Sequence, residues 1–265
     1  MLTLIRGAGD IASGVALRLW RSGIQVVMTE IERPTTIRRT VAFSDAVVNG
    51  EQTVEDVTAQ RADSTKEAWK ILMRGCIPVL VDPDCACREA ISPDALVDAV
   101  LAKRNLGTAI TDAPIVVGVG PGFTAGVDCH AAVETMRGHT LGRVIYDGAP
   151  LPNTNIPGLI GGFAGERVLR APADGVFQGL RRIGDYVEAG EAVGTVAGVP
   201  MTATISGVLR GLLADGVTVK KGLKSGDVDP RGKAEYCRTA SDKALAVGGG
   251  VLEAILHFEA MHHGK

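Results

Sequence analysis

The stretch LIRGAGDIASG, from Leu4 to Gly14, decides the fold of the first half of this 265-residue chain. It begins with the apolar end of a short strand, turns at glycine, and continues from Ile11 at the spacing of a helix. Gly7 allows a tight turn, and Gly9 lets the backbone approach a phosphate. We therefore predict a strand, a turn and a helix that pack closely together.

This turn matches the G-x-G-x-x-G/A pattern of Rossmann-like folds, with Gly7, Gly9 and Ala12 at the defined positions. A second apolar run ends at Glu30, where an acidic residue would accept a hydrogen bond from a ribose hydroxyl. Asp10 argues against a bound dinucleotide, because its carboxylate stands where the pyrophosphate would lie, and it could instead cap the helix. Whether the turn binds a cofactor or is only a close-packed turn therefore stays open.

Composition excludes several classes of protein. The chain carries a formal net charge of -2 and has no long basic run, so no nucleic-acid partner is expected. Its apolar runs are too short for a membrane span and it has no signal peptide, so we expect a cytoplasmic protein without a membrane partner. Its five cysteines are few and odd in number, which favours reduced thiols.

Strand-like and helix-like segments alternate through the first half of the chain. The segments 54–59, 77–82 and 114–119 have the apolar character of strands, and 62–74 and 94–103 that of helices. This alternation predicts a Rossmann-like layered α/β domain with a mostly parallel sheet over residues 1–150. Cys85 and Cys87 follow one of these strands and could bind a soft metal, exchange sulfur, or be inert.

A dense run of chemically useful residues, GVGPGFTAGVDCHAAVETMRGHTLG, spans 118–142. Its glycines predict an anion-binding loop that would hold a cofactor phosphate through Gly120, Gly122 and Gly126. The candidate catalytic residues follow these glycines in the same run. They are Asp128, Cys129, His130, Glu134 and His139.

These residue types suit several roles. Asp128, His130 and Glu134 could be acid/base groups or metal ligands, Cys129 a soft ligand or sulfur acceptor, and Arg137 an anion clamp. No spacing matches a standard zinc signature, so the identity of any metal stays open. An ordinary polar strand after a glycine-rich loop is the alternative. If the sheet order allows it, Asp10 should face Asp128, Cys129 and His130 across one cleft.

The second half begins with a Pro- and Gly-rich linker over 151–167 and contains an internal repeat at a shift of 32 residues. The repeat resembles biotinyl and lipoyl domains, which predicts a small all-β barrel-sandwich hybrid over 168–232. The hairpin between the copies has no lysine to modify, so we expect a docking or structural module. A C-terminal helix over 240–260, with three consecutive glycines, should pack back on the first domain.

Four stretches together resemble the YqeB-type family: RGAGDIASGVALRL, MTEIERPTTIRRTVAFSDAV, VGPGFTAGVDCHAAVETMRGHTLGRVIYDG and ALAVGGGVLEAIL. The resemblance implies a bacterial accessory or maturation protein of the selenium-dependent molybdenum hydroxylase system. Such a chaperone would bind or insert a molybdopterin-type molybdenum cofactor, or handle its sulfur or selenium ligand, and its partner would be the client hydroxylase.

Two hypotheses follow. In the first, the glycine turns bind the phosphates of the molybdopterin-type cofactor, Cys129 faces the sulfur or selenium chemistry, and the small β domain docks the client enzyme. In the second, the protein is an NAD(P)-dependent oxidoreductase that uses the N-terminal turn, with His130 or His139 as proton donor. The substrate, a homo-oligomeric state and turnover itself stay open.

Overall fold

A computed structural model describes residues 1–154 and 156–263. The chain forms two compact units that are discontinuous in sequence. The first unit comprises Met1–Pro34, Ala42–Thr154 and the C-terminal segment from Ala240, and the second comprises Thr35–Val41 and the segment between Thr154 and Ala240.

The first unit is built on a mixed sheet, which has nine strands within the described part of the chain. Its order is β3-β4-β5-β2-β1-β6-β7-β8-β9; the strands from β4 to β8 run parallel, whereas β3 and β9 pair antiparallel at the two edges. The strands are β1 (Leu2–Arg6), β2 (Gln25–Glu30), β3 (Glu51–Val54), β4 (Val57–Ala62), β5 (Ile77–Val81), β6 (Ala95–Asp98), β7 (Ile115–Val119), β8 (Ala131–Val133) and β9 (Val144–Ile145).

The helices of this unit are α1 (Asp10–Arg21), α2 (Asp45–Asn49), α3 (Thr65–Met73), α4 (Arg88–Ile91) and α5 (Asp242–His263). Helix α5 packs along α1 and covers strands β7, β8 and β9. The helices approach so closely that a Cβ on Gly14 would lie 2.5 Å from the Cβ of Ala244, and one on Gly250 would overlap the carbonyl oxygen of Gly142. The glycines of α5 thus serve close backbone packing.

The predicted fold class, a Rossmann-like domain with a mostly parallel sheet plus a barrel-sandwich hybrid, is wrong. The sheet is mixed and closed at both edges by antiparallel strands. The segments 99–114 and 120–130, all of whose residues are described, contain no helix, so the strand–helix alternation stops after β6. The layer over that half of the sheet comes from α5, at the other end of the chain.

The segment 94–103, predicted as a helix, instead contains strand β6. Its apolar residues repeat at a spacing that fits a helix, but Ala95, Leu96 and Val97 pair with both β1 and β7 and are buried. Pairing between two parallel strands therefore outweighs the local helical preference.

The second unit contains two antiparallel sheets of four strands each, counted over its described residues. One has the order β10-β17-β15-β12 and the other β14-β13-β11-β16. The strands are β10 (Val168–Arg170), β11 (Gly175–Gly179), β12 (Tyr186–Val187), β13 (Ala192–Val196), β14 (Val199–Thr202), β15 (Gly207–Leu212), β16 (Thr218–Val219) and β17 (Lys224–Asp229).

The two copies of the repeat exchange strands. Strand β11 of the first copy pairs with β16 of the second, and β15 of the second pairs with β12 of the first. Both copies line one core, which includes Phe177, Val187, Leu209 and Val219. Neither copy could bury these residues alone, because each supplies only half of each sheet.

A buried charge network also holds this unit. Asp227, 1% exposed, forms an ion pair with Arg167 and accepts hydrogen bonds from Nε and Nη2 of Arg210, at 2.9 and 2.5 Å. Nη1 of Arg210 also lies 3.1 Å from the carboxylate of Asp229, which pairs in turn with Arg231. Each carboxylate is thus matched by two guanidinium groups, as burial of charge requires.

Helix α5 is long and apolar enough to cross a membrane by length and composition alone. Its residues Ala244, Val247, Val251, Ala254 and Ile255 are buried inside the first unit. A core helix has the same composition, so α5 is weak evidence for a membrane, and the cytoplasmic location stays a prediction.

Candidate functional site

The parallel strands of the first unit end at one edge of the sheet, and polar side chains gather there. Open α/β sheets bind ligands outside the carboxyl ends of their strands. The residues at or just beyond these ends are Arg6 at the end of β1, Glu30 at the end of β2, Asp82, Cys85 and Cys87 after β5, and Asp98 at the end of β6.

Arg6 ties the loops of this edge to the sheet. Its buried guanidinium donates hydrogen bonds to the carbonyl oxygens of Pro83 and Leu106, at 3.1 to 3.3 Å, and to the hydroxyl of Thr108 at 3.0 Å. It lies 3.4 Å from the carboxylate of Asp98, which also accepts a 2.6 Å hydrogen bond from Thr108. The buried pair is therefore surrounded by further hydrogen bonds that compensate its desolvation.

The N-terminal glycine turn is closed by a carboxylate of the protein itself. Gly7 has a φ of +96°, which favours glycine, and its N–H donates to the carbonyl oxygen of Thr29. The carboxylate of Glu30 accepts hydrogen bonds from the N–H groups of Ala8, at 3.0 Å, and Ile31, at 2.8 Å. Burial raises the pKa of Glu30 above its usual value.

The contact between Glu30 and the glycine turn involves several of the residues that were predicted to bind a cofactor. Gly7, Gly9, Asp10 and Ala12 form the strand-to-helix turn, and α1 begins at Asp10. Glu30 binds to this turn instead of standing free for a ribose hydroxyl. A negative side chain thus already lies against a backbone donor that was predicted to meet a phosphate.

The two cysteines of the segment after β5 lie in a tightly bonded loop. The N–H of Cys87 donates to Oδ2 of Asp82 at 2.7 Å, and the N–H of Cys85 donates to the carbonyl oxygen of Asp82 at 3.1 Å. Arg88 donates to the carbonyl oxygen of Cys85 at 3.1 Å. Cys85 has a φ of +55°, which is uncommon for a residue other than glycine, so the loop holds a strained conformation.

The thiols of Cys85 and Cys87 shift each other's pKa in opposite directions. The hydrogen bond with Cys87 lowers the pKa of Cys85, and Thr29 and Arg6 add to this effect against the opposing effects of burial and Asp82. The same hydrogen bond, with burial and Asp82, raises the pKa of Cys87. A thiolate at Cys85 is therefore stabilised by a protonated Cys87.

The exposure of the two thiols differs. Cys85 is 3% exposed, whereas Cys87 is half-buried and can be reached from solvent. Thiolates are nucleophiles and ligands for soft atoms, and a nearby guanidinium favours the thiolate form. The Cys85–Cys87 pair is therefore a dithiol suited to soft-atom chemistry.

The first half of the glycine-rich run has structural hydrogen bonds. The carboxylate of Asp128 accepts from the N–H of Thr124 at 2.9 Å, and Nδ1 of His130 accepts from the N–H of Val116 at 2.9 Å. Cys129 is fully buried, and burial raises its pKa to about 11. These bonds shape the chain between β7 and β8.

The N–H groups of two of the predicted loop glycines are also engaged. Gly120 donates to the carbonyl oxygen of Val133, and Gly126 donates to that of Cys129. Gly122 lies against the backbone of Arg104, which leaves no space for a Cβ. The glycines here serve turns and close packing rather than an open anion-binding loop.

The remaining candidate residues of this run have different structural roles. The buried carboxylate of Glu134 accepts hydrogen bonds from the N–H groups of Met136, at 2.6 Å, and Leu151, at 2.8 Å. Arg137 forms a two-pronged ion pair with Asp242, at 2.7 and 3.0 Å, which joins the loop to the start of α5. His139 is exposed.

The structure does not bring Asp10 to Asp128, Cys129 and His130. His130 bonds to Val116, and the register places Val116 beside Leu96, which in turn lies beside Leu4. Asp10 comes after β1 has ended, at the carboxyl edge, and β6 and β7 separate β1 from β8. The two sets of residues are separated both along and across the sheet.

The sequence analysis did not identify Arg6, Asp98 or Thr108 as residues of this site. It identified Cys85 and Cys87 but did not predict which residues contact them. Arg6 and Asp98 each end a buried strand, which is the signal that could have identified them. Among the residues that the structure describes, no group of three or more His, Cys, Asp or Glu residues is arranged to hold a metal ion.

The fold and the site define a two-unit α/β protein with a dithiol at the carboxyl edge of its main sheet. No family model matches the chain. It is 52% identical over 263 residues to the uncharacterized protein YqeB of Escherichia coli strain K12, a match that covers 99% of this chain and 48% of that protein. This similarity supports the YqeB-type family, and the chain spans about half the length of the curated relative it matches.

Similar solved structures are of the desuccinylase and aspartoacylase type. The ectoine utilization protein EutE (DoeB) from Ruegeria pomeroyi has 11% identity and a TM-score of 0.27, covering 86% of this chain and 84% of that chain. A succinylglutamate desuccinylase/aspartoacylase from Rhodobacter sphaeroides has 14% identity and a TM-score of 0.25, covering 77% and 57%. Because TM-scores this low do not establish a shared fold, nothing about the chemistry of this chain follows from them.

Proposed function

We propose that this protein is an accessory protein for the maturation of selenium-dependent molybdenum hydroxylases and that it handles the sulfur or selenium ligand of their cofactor. The observation that carries the proposal is that two free cysteines, Cys85 and Cys87, lie in one loop at the carboxyl edge of the sheet, where hydrogen bonds to Asp82 hold their backbone. The similarity to the uncharacterized YqeB supports the family, and the biological setting is what the motif resemblance implies.

The donor set of this site fits sulfur and selenium chemistry. The pKa of the Cys85 thiol is lowered, which favours the thiolate, the form that acts as nucleophile and as ligand for soft atoms. Arg6 and Arg88 hold the loop through the carbonyl oxygens of Pro83 and Cys85. These hydrogen bonds to backbone carbonyl oxygens therefore help to hold the loop that carries the two cysteines.

The glycine turns fit a bound phosphate less well. Ala8 already donates to the carboxylate of Glu30, and Gly120 and Gly126 donate to main-chain carbonyl oxygens. We therefore base the proposal on the two cysteines and the sulfur or selenium ligand that they would handle. Binding of a molybdopterin-type cofactor stays a prediction. The NAD(P)-dependent alternative has the same weakness, because it needs the turn and a free Glu30.

Coexpression with a client hydroxylase tests the proposal. We expect the purified client to contain molybdenum but little selenium, and to have low activity, when this protein is absent or carries Cys87→Ala. The variant Cys76→Ala alters another half-buried cysteine that lies outside the loop and should support wild-type activity. A client that is equally active and selenium-loaded without this protein would refute the proposal.

A further inference from the structure

Helix α5 is more apolar than a helix at a protein surface normally is. Its composition is that of a helix buried on all sides, but only 39% of its apolar stretch is buried inside the described part of the chain. A helix that is hydrophobic all round is normally covered all round. Helix α1 and strands β7 to β9 pack against one side of α5, so its other side presents apolar surface to solvent.

The exposed residues in the last turns of α5 lie on one side of the helix. Glu253, Leu256, His257, Ala260 and Met261 are all exposed, and their spacing of three and four residues places them on one face. The apolar side chains of Leu256 and Met261 are 52% and 55% exposed. We refer to these five residues as the outer face of α5.

Side chains at the edge of the main sheet extend this face. Tyr146 follows the edge strand β9, is exposed, and has its ring centroid 4.5 Å from that of His257. A β-bridge between Ala125 and Gly148 places the loop that carries the exposed Val127 beside the segment of Tyr146. Contiguous exposed apolar surface marks an interaction site, and tyrosine is enriched in protein interfaces.

The length of the Escherichia coli relative indicates what covers this face. The match includes 99% of this chain but 48% of YqeB, so about half of that protein lies outside it. Two domains joined in one polypeptide meet at a high effective concentration and pack through interfaces of about 600 to 1,500 Å². A second domain therefore accompanies this one in the relative and needs a surface to pack on.

Charge favours a protein over a membrane as the occupant. The exposed carboxylates of Glu253 and Asp147 flank Tyr146, and the hydroxyl of Tyr146 donates to Glu253 at 3.5 Å. The exposed Arg143 lies at the other end of β9. Anionic lipid head groups would be repelled by the two carboxylates, whereas Lys or Arg side chains of a protein partner would pair with them.

We propose that the outer face of α5, together with Tyr146 and Val127, is the docking surface for a protein domain equivalent to the rest of Escherichia coli YqeB. The partner presents an apolar patch with Lys or Arg side chains at its rim. This interface is separate from the proposed chemistry of Cys85 and Cys87, and either can fail without the other.

Photo-cross-linking in full-length Escherichia coli YqeB tests the interface. Benzoylphenylalanine is placed at the position aligned with Leu256 and, as a matched control, at the position aligned with Met73, which is 88% exposed on α3. Mass spectrometry should locate cross-links from the first position in the half of YqeB outside the match, at a yield at least tenfold higher than from the second. Circular dichroism and melting temperature verify that both proteins are folded.

Cross-links confined to the matched half, or no higher yield from the first position than from the second, would overturn the proposal. Sedimentation of this chain, purified at full length, and its flotation with vesicles of phosphatidylcholine and phosphatidylserine test the other occupants. Self-association or vesicle binding that Leu256→Lys abolishes and Met73→Lys does not would assign the face to a second copy or to a membrane and refute the proposal. Sedimentation and flotation that are the same for wild type and Leu256→Lys would agree with it.

Discussion

The carboxylate of Glu30 accepts a hydrogen bond from the N–H of Ala8 at 3.0 Å, so a side chain of the second strand closes the glycine turn after the first. The sequence of the turn predicts a bound phosphate, but the carboxylate of Glu30 lies against the turn instead. Because burial raises the pKa of Glu30, ionising this group costs more in the folded chain than in the unfolded chain.

Glu30→Gln should therefore make stability less dependent on pH. A carboxyl group whose pKa is raised by folding stabilises the fold below its unfolded pKa, and this contribution is lost as pH rises through the folded pKa. We expect the melting temperature of Glu30→Gln, relative to wild type, to increase as pH is raised from about 4 to 7. Glu30→Ala leaves the N–H of Ala8 without its acceptor and should lose about 1 to 3 kcal/mol at pH 7.

Thermal melts of the three proteins across that pH range distinguish these effects. A constant difference between wild type and Glu30→Gln at every pH would contradict a raised pKa. Unchanged stability of Glu30→Ala would contradict a structural role for the contact with Ala8.

Two adjacent glycines of α5 give a matched pair for the helix packing. A Cβ on Gly250 would overlap the carbonyl oxygen of Gly142, whereas a Cβ on Gly249 would meet open space. Gly250→Ala should destabilise the protein by about 1 to 3 kcal/mol through overpacking. Gly249→Ala should stabilise it by about 0.5 to 1 kcal/mol, because alanine favours a helix.

Chemical denaturation of both variants measures the difference. Equal effects of the two substitutions would mean that α5 does not approach Gly142 closely. Both residues lie in the same helix, so differences in helix propensity do not explain opposite signs.

Local patterns predicted several elements of the first unit. The stretch around Gly7 is indeed strand, turn and helix, and the predicted helix over 62–74 corresponds to α3, Thr65–Met73. These elements are identified by short-range signals, such as apolar spacing and the Ser64 cap, whose side chain accepts from the N–H of Glu67. The same signals misassigned β6, which is a strand because β1 and β7 pair with it.

The candidate site depends on relations that are not local. Arg6 meets Thr108 and Leu106 across about a hundred residues of sequence, and no spacing pattern reports such contacts. The expected proximity of Asp10 to His130 failed for the same reason, since it needed the register of β7 and β8. The cysteine pair was visible because its members are two residues apart.

The charge network of the second unit provides a prediction independent of the site. Asp227 balances the buried guanidinium groups of Arg167 and Arg210, so Asp227→Asn should leave two cations undercompensated. We expect a loss of about 3 to 5 kcal/mol in the free energy of unfolding. The exposed pair between Lys220 and Asp174 is the control, and Asp174→Asn should change stability little.

Urea denaturation, followed by a signal from the second unit, measures the free energy of unfolding of both variants. Asp227→Asn with wild-type stability would show that the network contributes nothing net. Chain length and cysteine content are unchanged in both, so the comparison isolates the loss of charge at a buried and an exposed carboxylate.

The lowered pKa of Cys85 should be visible as an early thiolate on titration. The hydrogen bond from Cys87 lowers the pKa of Cys85, so replacing Cys87 by Ala should raise that pKa and delay thiolate formation on titration. Ultraviolet thiolate absorbance followed against pH should therefore show one cysteine ionising at lower pH in wild type than in Cys87→Ala. Cys76→Ala should keep the early transition, because Cys76 lies outside this loop. An early transition that persists in Cys87→Ala would show that Thr29 and Arg6, and not Cys87, lower the pKa of Cys85.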